Sequence, residues 1–270
     1  MQKLQAIADL LTEVKTKKPL VHHLTNYVTV NDCANIVLAL GGSPVMADDA
    51  AEVEEMVAIA SALVLNIGTL NGRTIDSMFL AGKRANRLGI PVVLDPVGAG
   101  ATTLRTATAL RLVQEIELAV VRGNIAEITA LAGGSAQTRG VDAAGPCADA
   151  PGIAAALAQK LGCVVAVTGA QDVVADGSRI GLIDNGHPIL ARVTGTGCMA
   201  TSLVGCYAGV TRDYFRAAAA GIITMGLAGE KALAALAPDD GIGSFRVKLL
   251  DQIDRLTPEE FIQGGKYHEA

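Results

Sequence analysis

Tryptophan is absent, and aromatic residues make up only 3% of the 270 positions. The core must therefore be built from Ala, Val, Leu and Ile, and a hydrophobic content of 50% supplies them. Charge is also scarce, at 18% of residues with a net charge of −5. That excludes a generally nucleic-acid-binding surface, although a local phosphate site needs no basic surface overall. The five cysteines (33, 147, 163, 198 and 206) include no Cys-x-x-Cys pair. The first 18 residues, with Leu4, Ile7, Leu10, Leu11 and Val14, read as an amphipathic helix rather than a signal peptide. Reduced thiols in a cytoplasmic protein are expected. The apolar runs read as too short to span a bilayer, so no membrane partner is expected. The phosphate-loop pattern Gly-x-x-x-x-Gly-Lys-Ser/Thr is missing, which excludes that class of NTPase.

Glycine, by contrast, is plentiful, with 30 residues. The stretch that organises the rest is 193–200, Val-Thr-Gly-Thr-Gly-Cys-Met-Ala. Its two glycines allow a tight turn, and Met199, Leu203, Cys206 and Val210 then recur at helical spacing. A glycine turn entering a helix presents unpaired backbone N–H groups, so Gly195, Thr196, Gly197 and Cys198 form a candidate anion hole. The helix start is expected to bias Cys198 toward thiolate. The stretch also fits a loose Gly-x-Gly-x-x-Ala dinucleotide pattern. It lies late in the chain, and the acidic Asp213 comes early and at an expected helix start rather than a strand end, so a dehydrogenase is disfavoured.

Strands and helices alternate along the chain. Apolar runs at 62–68, 90–97, 118–121 and 163–167 read as strands buried on both faces of a parallel sheet. The segment 173–183, turning at Asp176 and Gly177, reads as a β-hairpin. Residues 133–151 read as an exposed loop or a weak helix start, and 244–247 as a short strand. With no linker, the economical architecture is one domain over 1–270, a three-layer α/β/α fold with a central, mostly parallel sheet. Open parallel sheets bind ligands beyond the carboxyl ends of their strands. Asp95, Arg122 with Glu127, and Thr168 with Gly169 fall at such ends. Arg122 suits phosphate oxygens, and Asp95 and Glu127 suit Mg²⁺. Glu127 also has capping-box spacing from Asn124. Met46 follows a strand and suits the wall of a small-molecule pocket. His22 and His23 read as loop-orienting rather than metal-binding.

At these residues the sequence resembles the hydroxyethylthiazole kinases, ribokinase-like enzymes of thiamine salvage. The motifs are His-His-Leu-Thr-Asn-Tyr-Val at 22–28, Ser-Pro-Val-Met-Ala at 43–47, Leu-Asn-Ile-Gly-Thr-Leu at 65–70, Leu-Asp-Pro-Val-Gly-Ala-Gly-Ala-Thr at 94–102, Arg-Gly-Asn-x-x-Glu at 122–127 and Gly-Thr-Gly-Cys-Met at 195–199. The resemblance implies ATP-dependent phosphorylation of 4-methyl-5-(2-hydroxyethyl)thiazole by a homotrimer with active sites at subunit boundaries. It implies that Met46, Gly195 and Asn26 contact the thiazole. Arg122 and Thr168 would contact ATP, Asp95 and Glu127 would belong to the Mg²⁺ network, and Cys198 would act on the alcohol. Most ribokinase-like sugar kinases have an aspartate base at that last position, so base and positioning group both stand open for the thiol. Competing readings are a dehydratase of hydrated nicotinamide cofactors, a non-catalytic sensor, and a kinase of pyridoxine or hydroxymethylpyrimidine.

Overall fold

Successive side chains on a strand point to opposite faces, so a strand covered on both sides must be apolar at every position. The computed structural model describes residues 2–134, 138–139, 142–143 and 149–269, with the backbone alone for 138–139 and 142–143. It begins α1 (Gln2–Lys17), β1 (Leu20–Leu24), α2 (Val30–Leu40), β2 (Ser43–Val45), α3 (Val53–Ala58), β3 (Ala62–Asn66), α4 (Gly72–Leu88) and β4 (Val92–Asp95). Next come α5 (Thr103–Glu115), β5 (Val120–Asn124), α6 (Ile125–Ala132), the small pair β6 (Thr138–Arg139) and β7 (Asp142–Ala143), and α7 (Ala150–Leu161). The chain continues through β8 (Val164–Thr168), β9 (Asp172–Ala175), β10 (Ile180–Ile183) and a 3-10 turn (Pro188–Arg192). It ends with α8 (Thr196–Ala208), α9 (Tyr214–Ala234), α10 (Ile242–Asp254), α11 (Pro258–Gly264) and β11 (Tyr267–Glu269).

The main sheet has nine strands in the order β11-β10-β9-β8-β5-β4-β3-β1-β2. From β2 to β8 every pairing is parallel, and β9 to β11 add an antiparallel margin. Alternation sorts the core onto two faces. Val64, Val93, Val120, Ala166 and Val174 pack with residues of α1, α2, α8, α9 and α10. Leu63, Leu65, Leu94, Val121, Val165 and Val173 pack with residues of α3 to α7. The result is a three-layer α/β/α fold with a mostly parallel sheet. The chain leaves β1 for β2 through α2 on one face and returns to β3 through α3 on the other. The carboxyl ends of β1 and β3 therefore flank a topological switch point, where such sheets open a crevice.

Three expectations change. Residues 244–247 lie in α10, because Phe245, Leu249 and Ile253 recur every fourth position and are all buried. The tail adds β11, antiparallel to β10. Helix α9 is long and apolar enough to cross a membrane by length and composition. Its apolar character is accounted for by burial: Ala217 to Ala220, Ile223 and Ala228 are wholly enclosed in the core shared with α8 and α10. Cys147 and most of the loop expected at 133–151 lie outside the described residues.

Candidate active site

Gly195 caps α8 with φ +86°, a left-handed conformation that favours glycine, and Thr29 packs where a β-carbon would project. At Gly197 an added β-carbon would lie 2.8 Å from Arg122 Nη1. The first turn of α8 thus lies bare under a guanidinium. Arg122 reaches it from β5 and donates from Nη2 to Thr168 Oγ1 at 2.6 Å, while its Nε is buried without a partner. Thr196 Oγ1 fastens the turn to the Leu190 carbonyl at 3.1 Å. Asp95, Arg122, Glu127, Thr168 and Gly195 through Cys198 all line one cleft of about 920 Å³. The residues placed on strand ends by sequence therefore do converge.

The two carboxylates are held differently. Asp95 Oδ2 accepts from Asn66 Nδ2 at 2.9 Å and from Thr201 Oγ1 at 2.8 Å, but Oδ1 is buried with no partner. Burial pushes the Asp95 carboxyl above its usual range, against the pull of Arg122. In Glu127 both oxygens are occupied: Oε1 accepts Gly98 N–H and Oε2 accepts Asn124 N–H, each at 2.8 Å. The Asn124 side chain returns a bond to Glu127 N–H, completing the capping box expected from sequence. Burial first, and then the Asp95 charge, raise the Glu127 carboxyl to about 7. Hard oxygen donors facing one cleft, one of them unpartnered, fit a divalent cation such as Mg²⁺, whose charge would offset both desolvation and repulsion.

Cys198 Sγ accepts from Asn66 Nδ2 at 3.2 Å and Asn26 Nδ2 at 3.4 Å. Burial, followed by the nearby Asp95 charge, pushes its thiol up to about 12. This reverses the thiolate bias expected from the helix start, because burying the charged form costs more than the roughly 0.3–1 kcal/mol that a helix N-terminus returns. Asn26 is buried and reaches the site through this sulfur. Met46 is half-buried just beyond β2 and is not among the residues lining the cleft. His22 Nε2 donates to the Ala47 carbonyl at 2.7 Å, fixing that loop. His23 bonds the Val21 carbonyl and Ser202. Both rings are thus anchored by hydrogen bonds, while His22 Nδ1 is buried without a partner.

Sequence reasoning passed over Asn66 and Thr201, which position Asp95. The available signal was a buried amide at the end of the apolar run 62–67. It also passed over the far wall of the cleft, which includes Asn185, Gly186, Ile222 and Met225. That wall is fastened from the tail: Asn185 Nδ2 donates to the Gly264 carbonyl at 2.9 Å and Lys266 N–H to Asn185 Oδ1 at 2.7 Å. Glu230 joins them, accepting from Gly186 N–H at 2.7 Å and from Lys266 Nζ at 3.0 Å.

An open, mostly parallel sheet whose strand ends bring an arginine, two carboxylates and a bare helix start into one cleft has the parts that a phosphoryl-transfer enzyme needs. The family model described as "Hydroxyethylthiazole kinase family" matches residues 11–259, and the chain belongs to that family. It is 52% identical to the hydroxyethylthiazole kinase of Ruminiclostridium cellulolyticum over 266 residues, 97% of each chain. The solved hydroxyethylthiazole kinase of Pyrococcus horikoshii OT3 superposes with a TM-score of 0.86 at 40% identity, covering 98% of this chain and 99% of that one. A ribokinase-like superfamily protein from Enterococcus faecalis V583 shares the fold, with a TM-score of 0.65 at 12% identity over 93% of this chain and 95% of its own.

Proposed function

We propose that this chain transfers the γ-phosphoryl group of ATP to the primary hydroxyl of 4-methyl-5-(2-hydroxyethyl)thiazole, releasing ADP and the thiazole phosphate. The observation that carries this reading is the single cleft shared by Asp95, Arg122, Thr168 and the Gly195–Cys198 turn. Arg122 and Thr168 bind ATP phosphates, and the N–H groups of residues 195–198 take the charge that develops on the transferring group. Asp95 and Glu127 would hold Mg²⁺, which when bound supplies charge neutralisation at the phosphates. Asn26, Gly195 and Met46 form the alcohol side. With its thiol at about 12, Cys198 is neutral at pH 7 and serves to align the hydroxyl. A loose transition state makes little demand for prior deprotonation.

We also place the enzyme in the cytoplasm as one kinase domain over 1–270, assembled as a homotrimer. Exposed Tyr27 and Val28, beside Asn26 in sequence, support a neighbouring subunit over the alcohol side. Free thiols at Cys33, Cys163, Cys198 and Cys206 are in keeping with a reducing compartment. The test is an assay of purified protein with Mg-ATP and a panel of hydroxyethylthiazole, hydroxymethylpyrimidine, pyridoxal and hydrated NADH. Preference for the thiazole is expected, and preference for another member overturns the substrate assignment.

A further inference from the structure

Asn66 closes β3, a strand whose other residues are wholly apolar, and it is only 2% exposed at the switch-point crevice. Its amide uses every hydrogen-bonding position it has. Oδ1 accepts from Asn26 Nδ2 and from Gly68 N–H, both at 2.9 Å. Nδ2 donates one hydrogen to Asp95 Oδ2 at 2.9 Å and is 3.2 Å from Cys198 Sγ along the other. The orientation of the amide is not interchangeable. Gly68 N–H can only donate and must face Oδ1, while the Asp95 carboxylate accepts and must face Nδ2.

We infer that Asn66 is a positioning residue for phosphoryl transfer, its amide spacing the Cys198 sulfur from the Asp95 carboxylate and turning Asp95 Oδ1 toward the cleft. Sulfur and carboxylate are both electron-rich, and a donor pair lies between them. Thr201 Oγ1, on the helix that begins at the glycine turn, holds the same carboxylate oxygen. Asp95 is thereby pinned from β3 and α8 together through one oxygen, and its second oxygen is left buried without a partner on a residue that lines the cleft. Neither Asn66 nor Thr201 lines the cleft, so neither acts by touching the nucleotide. A fully satisfied buried network of this kind fixes one geometry rather than adding much stability. A displacement of about 1 Å at a reacting group can cost roughly 100-fold in rate.

The inference rests on the kinase reading, so the wild-type chain is assayed first with Mg-ATP and hydroxyethylthiazole. Asn66→Asp keeps the size of the side chain but replaces the donor pair with an acceptor. Its kcat is expected to fall about 100-fold, with KM for both substrates within roughly threefold of wild type. Asn66→Ser retains one O–H donor and is expected to keep more of the kcat than Asn66→Asp. It carries the test alone, through a kcat loss at constant KM, if the aspartate variant does not fold. In a Cys198→Ala background, Asn66→Ser is expected to cost less than it does alone, because one of the two partners of the Asn66 donor pair is already gone. Asn66 variants with kcat within twofold of an active wild type, or with the whole loss in KM, overturn the inference alone. A wild-type chain inactive on the thiazole overturns the kinase reading, and this inference with it.

Discussion

The end of β4 and the first turn of α6 each carry a buried acid that lines the same cleft, and they use it in opposite ways. Glu127 gives both oxygens to backbone N–H groups and so shapes the loop at Gly98 and the start of α6. Asp95 is gripped through one oxygen only, by two side chains from two different elements, and its other oxygen has no partner. The contrast teaches that burial and a raised pKa do not by themselves mark a reacting carboxylate. Under the proposed mechanism, what separates Asp95 from Glu127 is its unpartnered oxygen.

The comparison is broken most directly at Asp95. Asp95→Asn is expected to lower kcat/KM for the thiazole by about 1000-fold, as loss of a carboxylate that would hold the Mg²⁺ at the phosphates should, while the thermal melt stays near wild type. An equal loss in Glu127→Gln would erase the distinction between the two acids. Arg122→Ala follows, removing a charged donor worth about 2 kcal/mol, so KM for ATP should rise about 30-fold in steady-state kinetics. Cys198→Ala is smaller, a fall of about tenfold in kcat with ATP binding unchanged by calorimetry. A loss within the 10² to 10⁴ range typical of a proton acceptor would instead make the thiol a true base.

Glu127→Gln gives the smallest change in activity, less than about tenfold, and its main signature is stability. One backbone N–H would face the new amide nitrogen instead of an acceptor, costing about 1–2 kcal/mol and a few degrees of melting temperature. The sign with pH is set by the carboxyl being held at about 7 in the fold, above its unfolded value. Ionising it on going from about pH 5 to 8 costs wild-type stability, a cost that Gln does not share. The gap between the two melting temperatures should therefore narrow over that range, and a gap that widens would contradict the burial argument.

Much of this was legible from residue order because it is local. Continuous apolar runs marked the parallel strands, the hairpin at 173–183 followed from its Asp-Gly turn, and the Asn124–Glu127 box from a three-residue spacing. What escaped depended on distant partners. β11 is three residues long and acquires meaning only by pairing with β10, about 85 positions earlier. The segment at 244–247 resembled a strand because its helical period shows only when Leu249 and Ile253 are included. The expected thiolate at Cys198 followed from its own helix, whereas the thiol is held protonated first by burial and then by the charge of Asp95, both of which exist only once distant segments have packed around it. Asn66 was quoted in a motif and given no role, since only the fold reveals that four partners converge on it.

The fastening of Asn185 and Gly186 by Lys266 and Glu230 has a consequence for synthesis on the ribosome. Domains are made amino end first, so the strand ends and the glycine turn emerge well before the segment that braces the opposite wall. Because α9, α10 and Phe261 also belong to the core that carries α8 and one face of the sheet, the site takes shape with the whole domain, and the wall at Asn185 and Gly186 is braced only after residues 264–266 have been made.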